Sequence, residues 1–244
     1  MNAAPDWRLE RYDTLGSTSD LCRERAEAGS EAGLVIHALR QTSGRGTRGR
    51  TWIDPGGNLS MSVLLRPDPA HMRFLAFVVA TAVFDALAGG SNAEDLRLSL
   101  KWPNDLMLAG RKLAGILIET GEEAAAPWAI VGIGVNLACA PTVPGRELAC
   151  LADAGIVLSP PDAAARILAC LTHWLEILER DGFAPVRVAW LAWAHPVGSK
   201  LAVQRGGDYI RGLFHGLDPN GALMLQTDSG EIVRSVAGEV LLVG

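Results

Sequence analysis

The segment Gly44-Arg45-Gly46-Thr47-Arg48-Gly49-Arg50-Thr51-Trp52 constrains the fold of this 244-residue chain more than any other. It follows a buried-strand pattern, Leu34 to Leu39, and its Gly44-x-Gly46-x-x-Gly49 spacing matches the fingerprint of a dinucleotide-binding turn. Such a turn must run directly into a helix whose N-terminus receives a pyrophosphate. Here the continuation is Thr51-Trp52-Ile53-Asp54-Pro55-Gly56-Gly57-Asn58, which cannot be helical, and no Walker lysine-hydroxyl pair follows. The doubly wound nucleotide folds are thereby excluded. What remains is either a phosphate cradle of another kind or a solvated basic loop. In a cradle, glycines would admit the anion to backbone amides while Arg45, Arg48 and Arg50 add charge-assisted contacts.

Charge sharpens that choice. The chain as a whole is acidic, with net charge −5 and a pI near 5.6, so its cations are concentrated rather than spread. A general nucleic-acid binder shows a domain-wide basic excess, and a local patch suits a small anion such as a nucleotide phosphate. Cys22, Cys139, Cys150 and Cys170 form no C-x-x-C pair and the five histidines keep no metal-ligand spacing, so no protein-held metal is expected. No apolar signal segment opens the sequence, and the longest apolar run, Phe74 to Phe84, is about half a membrane span. A cytoplasmic protein with reduced thiols is expected.

Hydrophobic periodicity lays out the rest. Ser17-Thr18-Ser19 reads as the cap of a short helix over Asp20 to Ala28, ending at Gly29. Leu59 to Arg66 alternates as a strand, and Met72 to Ala88 is apolar nearly all round, a buried helix. Leu96 to Lys101, Leu113 to Glu119 and Trp128 to Leu137 read as further strands, broken at Asn104-Asp105, Gly110 and Pro127. Pro160-Pro161 opens a helix with apolar residues at helical spacing from Ala164 to Leu178, closing at Gly182, and a further helix runs from Ala184 to Ala194. From Val197 the texture changes to five short β segments between turns such as Gly206-Gly207, Asp218-Pro219-Asn220-Gly221 and Asp228-Ser229-Gly230, the pattern of a small barrel. Two domains are expected, 1–196 and 197–244.

A second constellation is Lys101-Trp102-Pro103-Asn104-Asp105 followed by Lys112-Leu113-Ala114-Gly115. Taken alone it is either ordinary turn chemistry or a set of side chains presented at one end of a hairpin. Two lysines and one carboxylate gathered beside a basic loop leave an excess of positive charge that is costly by like-charge repulsion unless a further anion joins them.

Together these segments resemble the biotin protein ligases. The loop Gly44 to Trp52 is similar to that family's Gly-Arg-Gly-Arg-x-Gly-Arg-x-Trp, Lys101 to Asp105 to its Lys-Trp-Pro-Asn-Asp, and Lys112 to Gly115 to its Lys-Leu-Ala-Gly. Gly132-Ile-Gly-Val-Asn136 resembles its Gly-x-Gly-x-Asn, Ser17-Thr18-Ser19 its Ser-Thr-Asn, and Gly238-Glu239 its C-terminal Gly-Glu, in the same order along nearly the whole chain. The resemblance implies an α+β fold: a catalytic domain like that of class II aminoacyl-tRNA synthetases, a mixed sheet with helices, followed by an SH3-like β-barrel. It implies ATP and biotin as substrates, with Mg2+ carried on the ATP. A biotinyl-5′-adenylate intermediate would pass its acyl group to a lysine of a biotin carboxyl carrier protein or domain of a biotin-dependent carboxylase.

Carried over residue by residue, Lys112, Asp105 and Arg45 would be catalytic. Lys112 would bridge biotin's carboxylate and the α-phosphate, Arg45 would hold those same groups, and Asp105 would orient the incoming amine. Ser17, Thr18, Ser19, Gln41, Gly44, Gly46, Thr47 and Gly115 would complete the biotin site with Arg45 and Lys112. Arg48, Arg50, Trp52, Lys101, Asn104, Asp105 and Asn136 would serve the nucleotide. Two positions depart from the family pattern: Ser19 stands for its asparagine, and Thr47 for its arginine, which removes a positive charge from the loop. About sixteen residues precede Ser17, too few for the helix-turn-helix domain of the repressor members, so DNA binding is not expected. The resemblance leaves open whether a homodimer like those common in the family forms. A lipoate or octanoate ligase and a non-catalytic biotin or nucleotide sensor are the rival readings.

Overall fold

The computed structural model describes residues 5–89, 96–123, 126–205, 208–236, 238 and 240–242. The turn Gly206-Gly207 and Glu239 of the Gly238-Glu239 pair lie outside the described residues.

In chain order the elements are β1 (Arg8–Tyr12), α1 (Thr18–Glu27), β2 (Leu34–Ala38), β3 (Leu59–Leu65), α2 (Leu75–Ala88), β4 (Leu98–Lys101), β5 (Asp105–Leu108), β6 (Arg111–Glu123) and β7 (Ala126–Val135). Then come α3 (Pro160–Asp181), α4 (Phe183–Ala192), β8 (Lys200–Arg205), β9 (Asp208–Leu217), β10 (Leu223–Gln226), β11 (Ile232–Ser235) and β12 (Val240–Leu242). The first seven strands form one sheet in the order β1-β2-β3-β7-β6-β5-β4. β1 runs parallel to β2 and every other neighbouring pair is antiparallel, so the sheet is mixed. The last five strands make a separate antiparallel sheet in the order β11-β10-β9-β8-β12.

Period-two alternation gives the large sheet two different faces. In β3, Leu59, Met61, Val63 and Leu65 join the main core, and in β7 Ala129, Val131, Ile133 and Val135 do the same. That face is covered by α2 and α3; twelve of the fourteen α2 residues are buried, as its all-round apolar sequence requires. Phe74 stacks on Phe183 with ring centroids 4.1 Å apart, and Phe77 meets Trp190 edge-on, tying α2 to α4. Asp85 is the one acid in α2; it accepts a hydrogen bond from Trp174 Nε1 at 2.8 Å, and burial holds its carboxyl above the usual carboxylate range.

The C-terminal sheet shares this core through Leu201, Val203, Phe214, Leu217, Leu223 and Leu225. Trp102 Nε1 donates to the Gly221 carbonyl, and a side chain at position 221 would strike Phe77 at 2.7 Å. Among the described residues, α1 is the one helix on the opposite face of the large sheet, packed on Ile36, Leu64, Trp128 and Ile130 toward one end. The other end of that face is left open.

Three details differ from the sequence expectation. β1 is an edge strand in a stretch that reads as polar. β5 occupies Asp105–Leu108, where a turn was expected to continue; the turn is confined to residues 102–104. Pro127 does not break the chain but sits inside β7 opposite Glu122, near the end of the β6/β7 ladder, where an absent amide proton costs little.

Candidate active site

The open end of the sheet is hollow because the strands beneath it carry almost no side-chain volume there. Gly132 and Gly134 of β7, Gly115 of β6 and the buried Ser60 and Ser62 of β3 occupy the alternate positions opposite the core residues. A cleft of about 470 Å³ lies over this floor, bounded by Thr18, Ser19, Gln41, Arg45, Trp52, Asp105 and Lys112 among others. The glycines are required by contact: a Cβ at Gly132 would lie 2.8 Å from Ser19 Oγ, and one at Gly134 would lie 2.5 Å from the Trp52 ring.

At the inner end the cleft is neutral and hydrogen-bonded. Gln41 Oε1 accepts from the Thr18 amide at 2.8 Å and the Thr18 hydroxyl at 3.1 Å, and Ser62 Oγ lies 2.8 Å from Thr18 Oγ1 and 3.0 Å from Ser19 Oγ. Ser17 is the N-cap of α1, accepting from the Asp20 amide, and does not line the cleft. Asp54 steadies this end by accepting from the Gln41 amide and from Ser60 Oγ, each at 3.1 Å.

The Gly/Arg segment closes on itself as a short loop. Gly46 donates to the Arg50 carbonyl at 2.7 Å and Trp52 to the Gly44 carbonyl at 2.9 Å, while Arg48 adopts a left-handed conformation at φ 60°. Gly44 is forced, since a Cβ there would sit 2.6 Å from the Trp52 carbonyl. Thr47 lines the cleft, and the Arg50 guanidinium reaches back to its carbonyl and hydroxyl oxygens, both at 3.3 Å. Arg48 lines the hollow on the other side of the loop and donates to Gln204 of β8 at 3.4 Å.

Trp52 rests on Gly115 and Gly134 and divides the first cleft from a second, of about 500 Å³. The second is walled by Trp52, Ile53, Pro141, Val143 and Leu148, with Arg50, Lys112, Asn136 and Arg146 at its edges. Asn136 is buried; its Nδ2 donates to the Ala149 carbonyl at 3.0 Å, but its Oδ1 has no partner, an acceptor left for something else.

Lys112 lines both clefts, and a strand irregularity puts it there. Asp105 pairs with Gly115 and Leu106 with Ala114, but Met107 pairs with Lys112, so Leu113 is an extra residue. The bulge turns Lys112 onto the same face as Asp105 and Gly115, three residues away, while Leu113 points into the core and is fully buried. Lys112 Nζ donates to Asp105 Oδ1 at 2.5 Å. The backbone of Lys112 also binds residues 147 and 149, anchoring the far end of the segment that walls the second cleft; Asn58 anchors its near end, accepting from the amides of Leu137 and Ala138.

The expected clustering of unneutralised cations is not what the structure contains. Both cations lining the first cleft are paired: Lys112 with Asp105, and Arg45 bidentately with Glu119 at 2.9 and 2.6 Å and with Asp20 at 2.9 Å. Asn104 is at the cleft edge but gives its amide to the Ile116 carbonyl. Lys101 lines neither cleft. It lies on the side of His195, whose ring is held below its ordinary pKa by burial and then by the Lys101 charge. Sequence reasoning did not assign Ser62, Glu119, Asp20, Asp54, Asn58, Pro141, Val143, Arg146 or Leu148 to the site. The serine alternation at 60 and 62 was a readable signal; the others carry no motif.

These features coincide with a known family. The Biotin/lipoate A/B protein ligase family matches residues 14–136, and the Biotin protein ligase C terminal domain matches residues 198–243. The chain belongs to the biotin/lipoate A/B protein ligase family. It is 38% identical to the biotin--[acetyl-CoA-carboxylase] ligase of Paracoccus denitrificans over 83% of this chain and 88% of that protein. It is 31% identical to the enzyme of that name from Mycobacterium tuberculosis, over 99% and 91% of the two chains. The biotin protein ligase of Aquifex aeolicus, solved with biotin and ATP, superposes with a TM-score of 0.80 at 26% identity, covering 96% of this chain and 98% of that one. Fold and ligase class follow from these matches. Among the described residues no helix is long and apolar enough to cross a membrane.

Proposed function

We propose that the chain activates biotin with ATP and transfers it to a lysine of a biotin carboxyl carrier domain. The observation that carries this reading is the position of Lys112 at the junction of two clefts of different chemistry, hydrogen-bonded to Asp105 at 2.5 Å. The first cleft offers neutral hydroxyl and amide groups over a glycine floor, suited to a small polar bicycle. The second offers an aromatic and aliphatic wall with Arg50 and Arg146 at its edge, suited to a base and its phosphates.

In the first step a biotin carboxylate oxygen attacks the α-phosphorus and the bond to the β-phosphate breaks, releasing pyrophosphate. The Lys112 ammonium neutralises charge that accumulates between carboxylate and α-phosphate. In the second step the carrier amine attacks the acyl carbon, AMP leaves, and Asp105, freed from Lys112, receives or orients the amine proton. Magnesium would enter with the ATP, as the counter-ion of its phosphates.

The test is biotin-dependent exchange of labelled pyrophosphate into ATP, followed by transfer of biotin to an apo carrier domain. Exchange driven by lipoate or octanoate and not by biotin would reassign the substrate. Binding of biotin without any exchange would make the chain a sensor.

A further inference from the structure

Arg45 stands in a closed ring of four charges. Its guanidinium reaches Glu119 of β6 through both oxygens and Asp20 of α1 at 2.9 Å; Arg23 of α1 bonds to the same Glu119 and lies 3.8 Å from Asp20. Each charge therefore has two opposite neighbours, and the ring ties the first turn of α1, the sheet and the start of the Gly/Arg loop together. Arg45 Nε is meanwhile buried without an acceptor. The ring does not complete the hydrogen bonding of the guanidinium. It does neutralise a guanidinium that lines the first cleft, where a ligand carboxylate has to arrive, while Glu119 itself lines the hollow on the other side of the loop.

We propose that Glu119 is a positioning residue that holds Arg45 as a stand-in for the ligand's anion and is displaced from it when an acid binds. This rests on the reading of the first cleft as the site of a carboxylic acid. Glu119 sits two residues beyond Leu117, on the cleft face of β6, and its side chain is only 19% exposed. Its hold on Arg45 therefore costs a competing carboxylate more than a surface pair would. Arg23 keeps Glu119 neutralised after Arg45 departs. Loop closure is thereby linked to an anion strong enough to take the guanidinium from two carboxylates: biotin's carboxylate first, then the adenylate phosphate.

The test is Glu119→Gln, which keeps the shape and one acceptor but removes the charge. Hydrogen bonds to charged groups correspond to about ten- to hundredfold in binding. With Asp20 still in place the lower end applies, so biotin should bind roughly tenfold more tightly, lowering its KM while kcat for adenylate formation holds. Asp20→Asn should shift biotin affinity in the same direction and by less, because Asp20 is 53% exposed. A merely structural role would weaken biotin binding or leave it unchanged, and either result overturns the proposal.

A second measurement needs no ligand. Trypsin should cleave after Arg45, Arg48 or Arg50 several-fold faster in ligand-free Glu119→Gln than in the parent, with melting temperature little changed. Equal cleavage overturns the proposal even if the substrate is not biotin. Absence of biotin-dependent exchange in the parent, with the faster cleavage present, would instead fault the substrate reading alone.

Discussion

The two faces of the seven-stranded sheet are made by the same strands and do opposite work. Toward α2 and α3 the positions 59, 61, 63 and 65 of β3 and 129, 131, 133 and 135 of β7 are filled with apolar side chains in close contact. Toward the clefts the intervening positions are Ser60, Ser62, Gly132 and Gly134, and space replaces side chain. The lesson is that a binding site can be specified by subtraction. Strand alternation supplies two independent alphabets, one chosen for volume and the other for its lack.

If that separation holds, substitutions on the two faces should divide cleanly between activity and stability. The sharpest comparison is between neighbours. Lys112→Ala should lower adenylate formation about 10²-fold or more, the effect of losing one preorganised charge, with an unchanged melting temperature. Leu113→Ala, one residue on and facing the core, should destabilise by about 2–5 kcal/mol, with biotin affinity per folded molecule retained. Pyrophosphate exchange and thermal melts on both variants decide it; a Lys112→Ala enzyme with near-normal exchange would remove that residue from the chemistry.

Next in size is Gly134→Ala. Its methyl group would overlap the Trp52 ring, and the overpacking cost of about 1–3 kcal/mol should appear as roughly ten- to hundredfold in kcat/KM. Trp52 is partly exposed and can give way into the clefts, so little stability should be lost. A variant with normal kinetics and a lower melting point would show that this face, too, serves packing.

Thr47→Arg tests the departure from the family pattern. A restored guanidinium should slow release of the adenylate by about tenfold, an effect expected in the dissociation rate. Arg50 already lies against Thr47 through both of its oxygens, and an unchanged release rate would mean that Arg50 performs the missing arginine's task.

The smallest effect belongs to Asp85 on the core side. Its folded pKa is raised by burial, so its contribution to stability is complete below the unfolded value near 3.9 and is lost as pH rises through the folded value. Asp85→Asn keeps an acceptor for Trp174 and should melt higher than the parent at pH 7, by roughly 2 °C. The gain should vanish as pH falls below about 4, and catalysis should be untouched. A gain that persists at pH 3 would locate the benefit elsewhere than in the charge.

How much of this could be read beforehand depends on distance along the chain. β2, β3, β7 and the long helices were legible because their apolar periodicity is local, and the five C-terminal strands because their turns are. β1 was not, since Arg8-Leu9-Glu10-Arg11-Tyr12 is an exposed edge whose partner, β2, lies beyond α1. β5 was hidden by its brevity between two turn signals. In the site, Thr18, Trp52, Asp105 and Lys112 belong to motifs, Gln41 came only with the family resemblance, and all five converge. Glu119 and the wall from Pro141 to Leu148 belong to none; they matter only because β6 and the segment after β7 pass beside those motifs. The pairing of Arg45 with two carboxylates was equally invisible, because Asp20 and Glu119 lie 25 and 74 residues from it in sequence.

The bulge at Leu113 can be restated as a matter of parity. A strand sorts its residues into odd and even, and Lys112 and Gly115 have opposite parity yet must share one side; the single extra residue at 113 is what reconciles them. Removing any one residue of 109–111 would restore the arithmetic of a regular strand and exchange the fates of its neighbours, carrying an ammonium group toward the hydrocarbon interior and a leucine out over the cleft. Chemistry and core would fail in the same event. The turn at Ala109-Gly110, though it lines neither cleft, therefore has a length fixed by where Lys112 must point.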